Sequence, residues 1–182
     1  MNINYNYDRI LIIGRSGSGK TSLVYSLTKK LPNYLVLTQK TDDFYPKKHI
    51  RLLGDDIDKS VNDFIKEGIK KSPITLIFED LPSYIYTSNL PEMFRKMLIN
   101  GRHIGIGMIF ISQRYYTIPV LVRVQSNIHI YFQSSIDDYS SVSTDIYRII
   151  DSLGQYQYCI VNYDNGFIGK GMTTKIRKYG LF

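Results

Sequence analysis

Eight consecutive residues, Gly14-Arg15-Ser16-Gly17-Ser18-Gly19-Lys20-Thr21, match G-x-x-x-x-G-K-[ST] at every fixed position. Their chemistry is that of a phosphate cradle. Glycines let successive backbone N–H groups turn towards one centre, and the positive end of a helix starting near Thr21 and Ser22 adds to their pull on an anion. A lysine at position 20 reaches β- and γ-phosphates, and the Thr21 hydroxyl is a ligand for Mg²⁺. Farther along, the apolar run Ile74 to Phe78 ends in Glu79-Asp80. Hydrolysis needs one carboxylate for the metal and usually a second for the attacking water, and two adjacent acids serve if the chain twists out of strand geometry there. The usual order of such a pair is Asp then Glu. Here it is reversed, so Glu79 is assigned to the metal and Asp80 to the water, with the exchange of roles left open. Gln113 ends the next apolar run, where an amide can donate to a γ-phosphate oxygen and accept from the lytic water.

These groups need a frame. Ile10 to Ile13 reads as a short buried strand, and Ser22 to Leu27 as the start of a helix with Leu23, Val24 and Leu27 inward. Further strands are predicted at 34–38, 50–53, 74–78, 106–111 and 128–132, and helices at 90–100, 119–124 and 143–153. A helix over 56–71 carries the stripe Ile57, Val61, Phe64, Ile65 and Ile69, acidic at its start and basic at its end. Asp164-Asn165-Gly166 reads as the turn of a C-terminal hairpin. Strands alternating with helices predict an α/β fold with an open, mostly parallel sheet, whose ligands sit beyond the strand C-termini. The phosphate loop, Glu79-Asp80 and Gln113 all fall at such ends.

With 182 residues and no evident linker, one domain over 1–182 is expected. No apolar run reaches the ~18 residues of a membrane span, and MNINYNYDR has neither the basic nor the apolar part of a secretory leader. Cys159 is the single cysteine, in an apolar context that suits a core position, so no intrachain disulfide is available and an intracellular setting is expected. His49, His103 and His129 lack companions for a transition-metal site. A net charge of +7 favours a polyanionic partner, although a basic enzyme would carry the same charge. The basic residues are scattered over Arg15, Lys40, Lys47, Lys48, Arg51, Arg114, Arg148, Lys170, Lys175, Arg177 and Lys178, densest at 47–48 and 175–178. Tyr115-Tyr116 could stack on bases or simply pack.

The segment Gly101-Arg102-His103-Ile104-Gly105-Ile106-Gly107-Met108-Ile109-Phe110-Ile111-Ser112-Gln113-Arg114, followed by Pro119, Arg123 and Asn127, resembles that of FtsK/HerA-type DNA-pumping ATPases. It is most similar to the genome-packaging ATPases of poxvirus-like, giant and tailless icosahedral viruses. The resemblance runs from about Arg9 to Phe132 and more weakly through the hairpin. It implies a RecA-like core, assembled as a pentameric or hexameric ring that moves double-stranded DNA with ATP and Mg²⁺, with capsid or portal-vertex proteins as further partners. It also implies that Gln113 is the sensor and that an arginine reaches a neighbouring subunit's γ-phosphate, with Arg102 the first choice and Arg123 the second. Two other readings stay open: a small-molecule NTPase or nucleotide kinase, and a nucleotide-regulated assembly protein with little hydrolysis. The guanine motif Asn-Lys-x-Asp and the Leu-Ser-Gly-Gly signature are both missing, which sets aside regulatory GTPases and ABC ATPases.

Overall fold

The strand predicted before the phosphate loop is β1 (Arg9–Ile13), and it lies at the centre of an eight-stranded sheet. The computed structural model describes residues 3–40, 44–85, 90–134 and 142–174. In chain order, β1 is followed by α1 (Lys20–Thr28), β2 (Tyr34–Thr38), β3 (Ile50–Leu52), α2 (Ile57–Lys70), β4 (Ile74–Phe78) and α3 (Glu92–Asn100). Then come β5 (Ile106–Ser112), α4 (Val120–Gln125), β6 (Ile128–Phe132), α5 (Thr144–Asp151), β7 (Gln157–Asn162) and β8 (Phe167–Met172). The sheet order is β3-β2-β4-β5-β1-β6-β7-β8; its first six strands are parallel and the last two are antiparallel.

The parallel strands are apolar runs rather than alternating ones because helices cover both faces. Every residue of β1, β2, β4, β5 and β6 is buried. On one face α2, α3, α4 and α5 pack over Leu11, Leu35, Leu76, Phe78 and Phe110, with Phe78 against Phe64 and Phe94 edge to face. On the other, α1 is the helix that contributes buried residues among those described, laying Leu23, Val24 and Leu27 on Ile10, Ile12, Ile109 and Ile130.

Local chemistry sets the ends. The Asp56 carboxylate caps α2 by accepting from the Lys59 N–H at 2.9 Å. On the same helix the predicted stripe fails at one place. Ile69 is 40% exposed, and buried Gly68 takes its position against β4, where a Cβ would stand 2.8 Å from Leu76 Cδ2. The helix comes too near the sheet there for a side chain. The hairpin forms as predicted, with Gly166 at φ 71° in its turn, and β8 extends to Met172.

Candidate functional site

Between β1 and α1 the chain turns through Gly17 and Gly19, at φ 76° and 111°. The turn is tied down at both ends. Gly14 N–H donates to Ser112 O (3.3 Å), and Leu23 N–H donates to Gly19 O (2.9 Å). A side chain at Gly14 would put its Cβ 2.5 Å from Phe132 Cβ, so the loop passes close over β6. Lys20 folds back across the loop, donating from Nζ to Gly14 O (2.5 Å) and Arg15 O (2.9 Å). Burial drives its ammonium down to about 8, an effect partly offset by the nearby Asp80 carboxylate. A desolvated ammonium held on backbone carbonyls is poised to exchange them for phosphate oxygens.

The two acids end β4. Glu79 still donates its N–H to Leu37 O (3.0 Å), whereas Asp80 lies in the left-handed region at φ 48°. The chain therefore leaves strand geometry at Asp80, and both acids line the same cavity. Glu79 Oε1 accepts from the Tyr45 hydroxyl at 2.8 Å. Beneath them lies the buried Tyr84 ring, whose phenol burial pushes well above its usual pKa, with the charges of Glu79 and Asp80 adding to the shift. At the end of β5 the Ser112 hydroxyl donates to Arg114 O and accepts from Arg114 N–H, a tight turn that leaves Gln113 outermost.

Strand order brings these pieces together. Because β5 lies between β1 and β4, Gln113 hangs between the phosphate loop and the acids. Ser16, Gly17, Gly19, Lys20, Thr21, Ser22, Glu79, Asp80 and Gln113 all line one cavity of about 350 Å³, within the range of small-molecule sites. Arg15 points away from it, donating to Gln133 Oε1 (3.0 Å), and with Ser16, Gly17 and Ser18 it borders an adjoining cleft. Among the described residues no group of three or more His, Cys, Asp or Glu could hold a metal ion. The oxygens of Thr21 and Glu79 on the shared cavity do suit Mg²⁺, which takes few protein ligands and completes its shell with phosphate and water.

The two candidate arginines lie elsewhere. Arg102 follows α3, at the strand N-termini and so at the opposite end of the sheet from its own phosphate loop. It donates to Asn127 Oδ1 (3.2 Å) and Gln125 O (3.3 Å). Asn127 also accepts from Arg9 N–H (2.9 Å) and donates to Asp8 and Asp164, so it organises this whole end. Arg9, outside the strand predicted at Ile10 to Ile13, opens β1 and is fully buried. Burial and then neighbouring Arg102 lower its guanidinium to about 10. Arg123, on α4, lies over the Tyr115 ring at 5.0 Å.

Of the basic residues, Arg51 is paired with Glu67, Arg148 faces Asp145 at 3.6 Å and Arg114 donates to the Tyr116 hydroxyl at 2.5 Å. Tyr115 packs on His129 and Tyr131, whereas Tyr116 is half exposed. Lys47 and Lys48 are exposed on a short 3₁₀ turn, in the same connection as cavity-lining Lys40 and Phe44. The cluster at 175–178 lies outside the described residues. Sequence reasoning missed Tyr45, Phe44 and Tyr156 on or beside the cavity; tyrosines are too common here, 16 in all, for any one to stand out.

The family described as Poxvirus A32 protein matches residues 2–150. No curated protein sequence matches the chain. In fold it is similar to the genome packaging NTPase B204 from Sulfolobus turreted icosahedral virus 2, solved in complex with AMPPCP. The TM-score is 0.77 and the identity 20%, over 96% of this chain and 100% of that one. ATPases 2 and 3 of Thermomonospora curvata EccC align at TM-score 0.71 and 12% identity, over 97% of this chain and 38% of that one. The N-terminal domain of zonular occludens toxin from Neisseria meningitidis aligns at 0.60 and 14%, over 93% and 95%. At these identities the likeness is one of fold. No helix among the described residues is long and apolar enough to cross a membrane.

Proposed function

The chain belongs to the Poxvirus A32 protein family, and from that premise we propose that it is a viral genome-packaging ATPase that translocates double-stranded DNA. One observation carries the reading: the phosphate loop, two strand-end acids and a strand-end glutamine border a single cavity at the C-terminal ends of β1, β4 and β5. Fold likeness to a genome packaging NTPase solved with AMPPCP supports it.

In this reading residues 1–182 act as one ATPase domain. Backbone N–H groups from Ser16 to Ser22 hold the phosphates, and Lys20 moves from Gly14 O and Arg15 O onto β- and γ-oxygens. Thr21 and Glu79 would hold Mg²⁺, which would supply charge neutralisation at the phosphates. Asp80, turned off the strand line, accepts the proton of the attacking water, and Gln113 orients that water against the γ-phosphate. Arg102 acts on the neighbouring subunit's site, since its own lies at the other end of the sheet. The molecule is accordingly a ring, a pentamer or hexamer, working within the infected cell and docked on capsid or portal-vertex proteins. Lys47 and Lys48 contact the DNA backbone, each weakly, and a ring sums such contacts.

The test is ATP hydrolysis measured against protein concentration, with and without duplex DNA. Specific activity should rise with both, and Lys20→Ala should abolish it. Turnover indifferent to DNA and to concentration would sink the translocase reading; absence of even single-turnover hydrolysis would leave an assembly protein.

A further inference from the structure

Stacking needs an aromatic face on the side of the phosphate loop away from the acids. In the sheet, β5 and β4 lie on one side of β1 and carry Gln113, Glu79 and Asp80. A nucleotide whose γ-phosphate points that way sends its α-phosphate, ribose and base past Thr21 and Ser22. On the other side lie β6 and β7. Tyr156, immediately before β7, lines the cavity together with Gly19, Lys20, Thr21 and Ser22.

Its placement is specific. The ring lies against the phosphate loop so closely that a Cβ on Gly19 would stand 2.8 Å from Tyr156 Cδ1. The Tyr156 backbone is held at φ 64°, and its carbonyl accepts from Thr173 N–H at 2.9 Å, which ties it to the end of the C-terminal hairpin. Among the described residues two non-glycines have positive φ, Asp80 and Tyr156, and both border this cavity. A left-handed conformation is costly for a bulky residue, and such strain collects at ligand sites.

We propose that Tyr156 is the stacking platform for the base of the bound nucleoside triphosphate. This deepens the nucleotide-site reading above and rests on it. Every base presents a π-face, so the contact adds affinity for a nucleotide over bare polyphosphate.

The experiment measures binding of Mg–ATP and of Mg–tripolyphosphate to the full chain in wild type, Y156F, Y156A and Y156N. Y156F should bind both like wild type. Y156A and Y156N should lose roughly 10- to 100-fold for ATP with tripolyphosphate unchanged. Asparagine accepts left-handed backbone, so Y156N should keep or gain thermal stability while losing ATP affinity. Parallel loss of ATP and tripolyphosphate in Y156N, or full ATP affinity in Y156A, overturns the proposal. Wild type binding neither compound overturns the nucleotide site itself.

Discussion

The Tyr45 hydroxyl donates to Glu79 Oε1 across 2.8 Å, so the connection between β2 and β3 holds a carboxylate at the end of β4. Tyr45 is itself 4% exposed, on the same face as α1, and the exposed Lys47 and Lys48 follow it by two and three residues.

Removing a hydrogen bond to a charged group is worth about 1.5–3 kcal/mol, roughly 10- to 100-fold in rate. Tyr45→Phe should lower kcat within that range and raise the Mg²⁺ concentration needed for half-maximal turnover, leaving metal-free ATP binding unchanged. Steady-state kinetics over a Mg²⁺ titration checks both, and an unaltered Mg²⁺ requirement would show that Tyr45 does not position the metal's ligand.

Lys20 gives a pH signature. Its folded pKa, about 8, lies below the ordinary 10.5. Between those values the unfolded chain binds more protons than the folded one, so stability of the ligand-free protein should rise as pH climbs from about 8 to 10.5. Nucleotide binding returns the charge to Lys20. At pH 8.5–9, ATP binding should therefore take up a proton, seen by calorimetry in buffers of different ionisation enthalpy. Lys20→Arg, charged throughout, should show no such uptake.

Across the subunit boundary, complementation is expected. Lys20→Ala and Arg102→Gln proteins should each be inactive as pure assemblies. Mixed in equal amounts, they form some interfaces with both an intact phosphate loop and an intact arginine, about a quarter of the total if pairing is random and head to tail. Specific activity should recover towards that fraction. No recovery after verified subunit exchange would rule out Arg102 as the residue acting in trans.

Acid should destabilise the fold through one buried imidazole. His129 is buried, its Nδ1 2.8 Å from the Tyr131 hydroxyl and its Nε2 3.2 Å from Arg123 O. Burial lowers its pKa from 6.5 to about 4. The unfolded chain binds the extra proton between those values, so stability should fall as pH drops from about 6.5 to 4, by up to about 3 kcal/mol. Denaturant unfolding across that range checks this; His129→Gln should flatten the slope.

Much of this was legible because parallel strands and the phosphate loop are local signals. β2 and β6 fall where their apolar runs predict, and Gly14 to Thr21 needed only the strand before it and the helix after it. What was not legible depends on pairing between distant segments. Gly68 lies outside the stripe predicted for α2, and its close approach to Leu76 follows only once that helix is set on the sheet. Arg9 lies outside the strand predicted at 10–13, and its burial and its backbone bond to Asn127, 118 residues away, come only with the assembled sheet. Tyr156 carries no sequence signal for positive φ, and its nearness to Gly19 comes from sheet order alone.

Among the described residues α1 is the one α-helix laid on its face of the sheet, and this bears on local opening. Four helices share the opposite face, but α1 has nine residues, an N-terminus with no side-chain cap and no basic residue in its last turn. A phosphate bound at this N-terminus supplies an acceptor to its N–H groups. The amides from Gly17 to Val24 should thus exchange with solvent through a small local fluctuation in the ligand-free chain. Nucleotide should slow that exchange far more than it slows exchange in β4 or β5. Binding at this loop is in that sense the last step of folding for one helix.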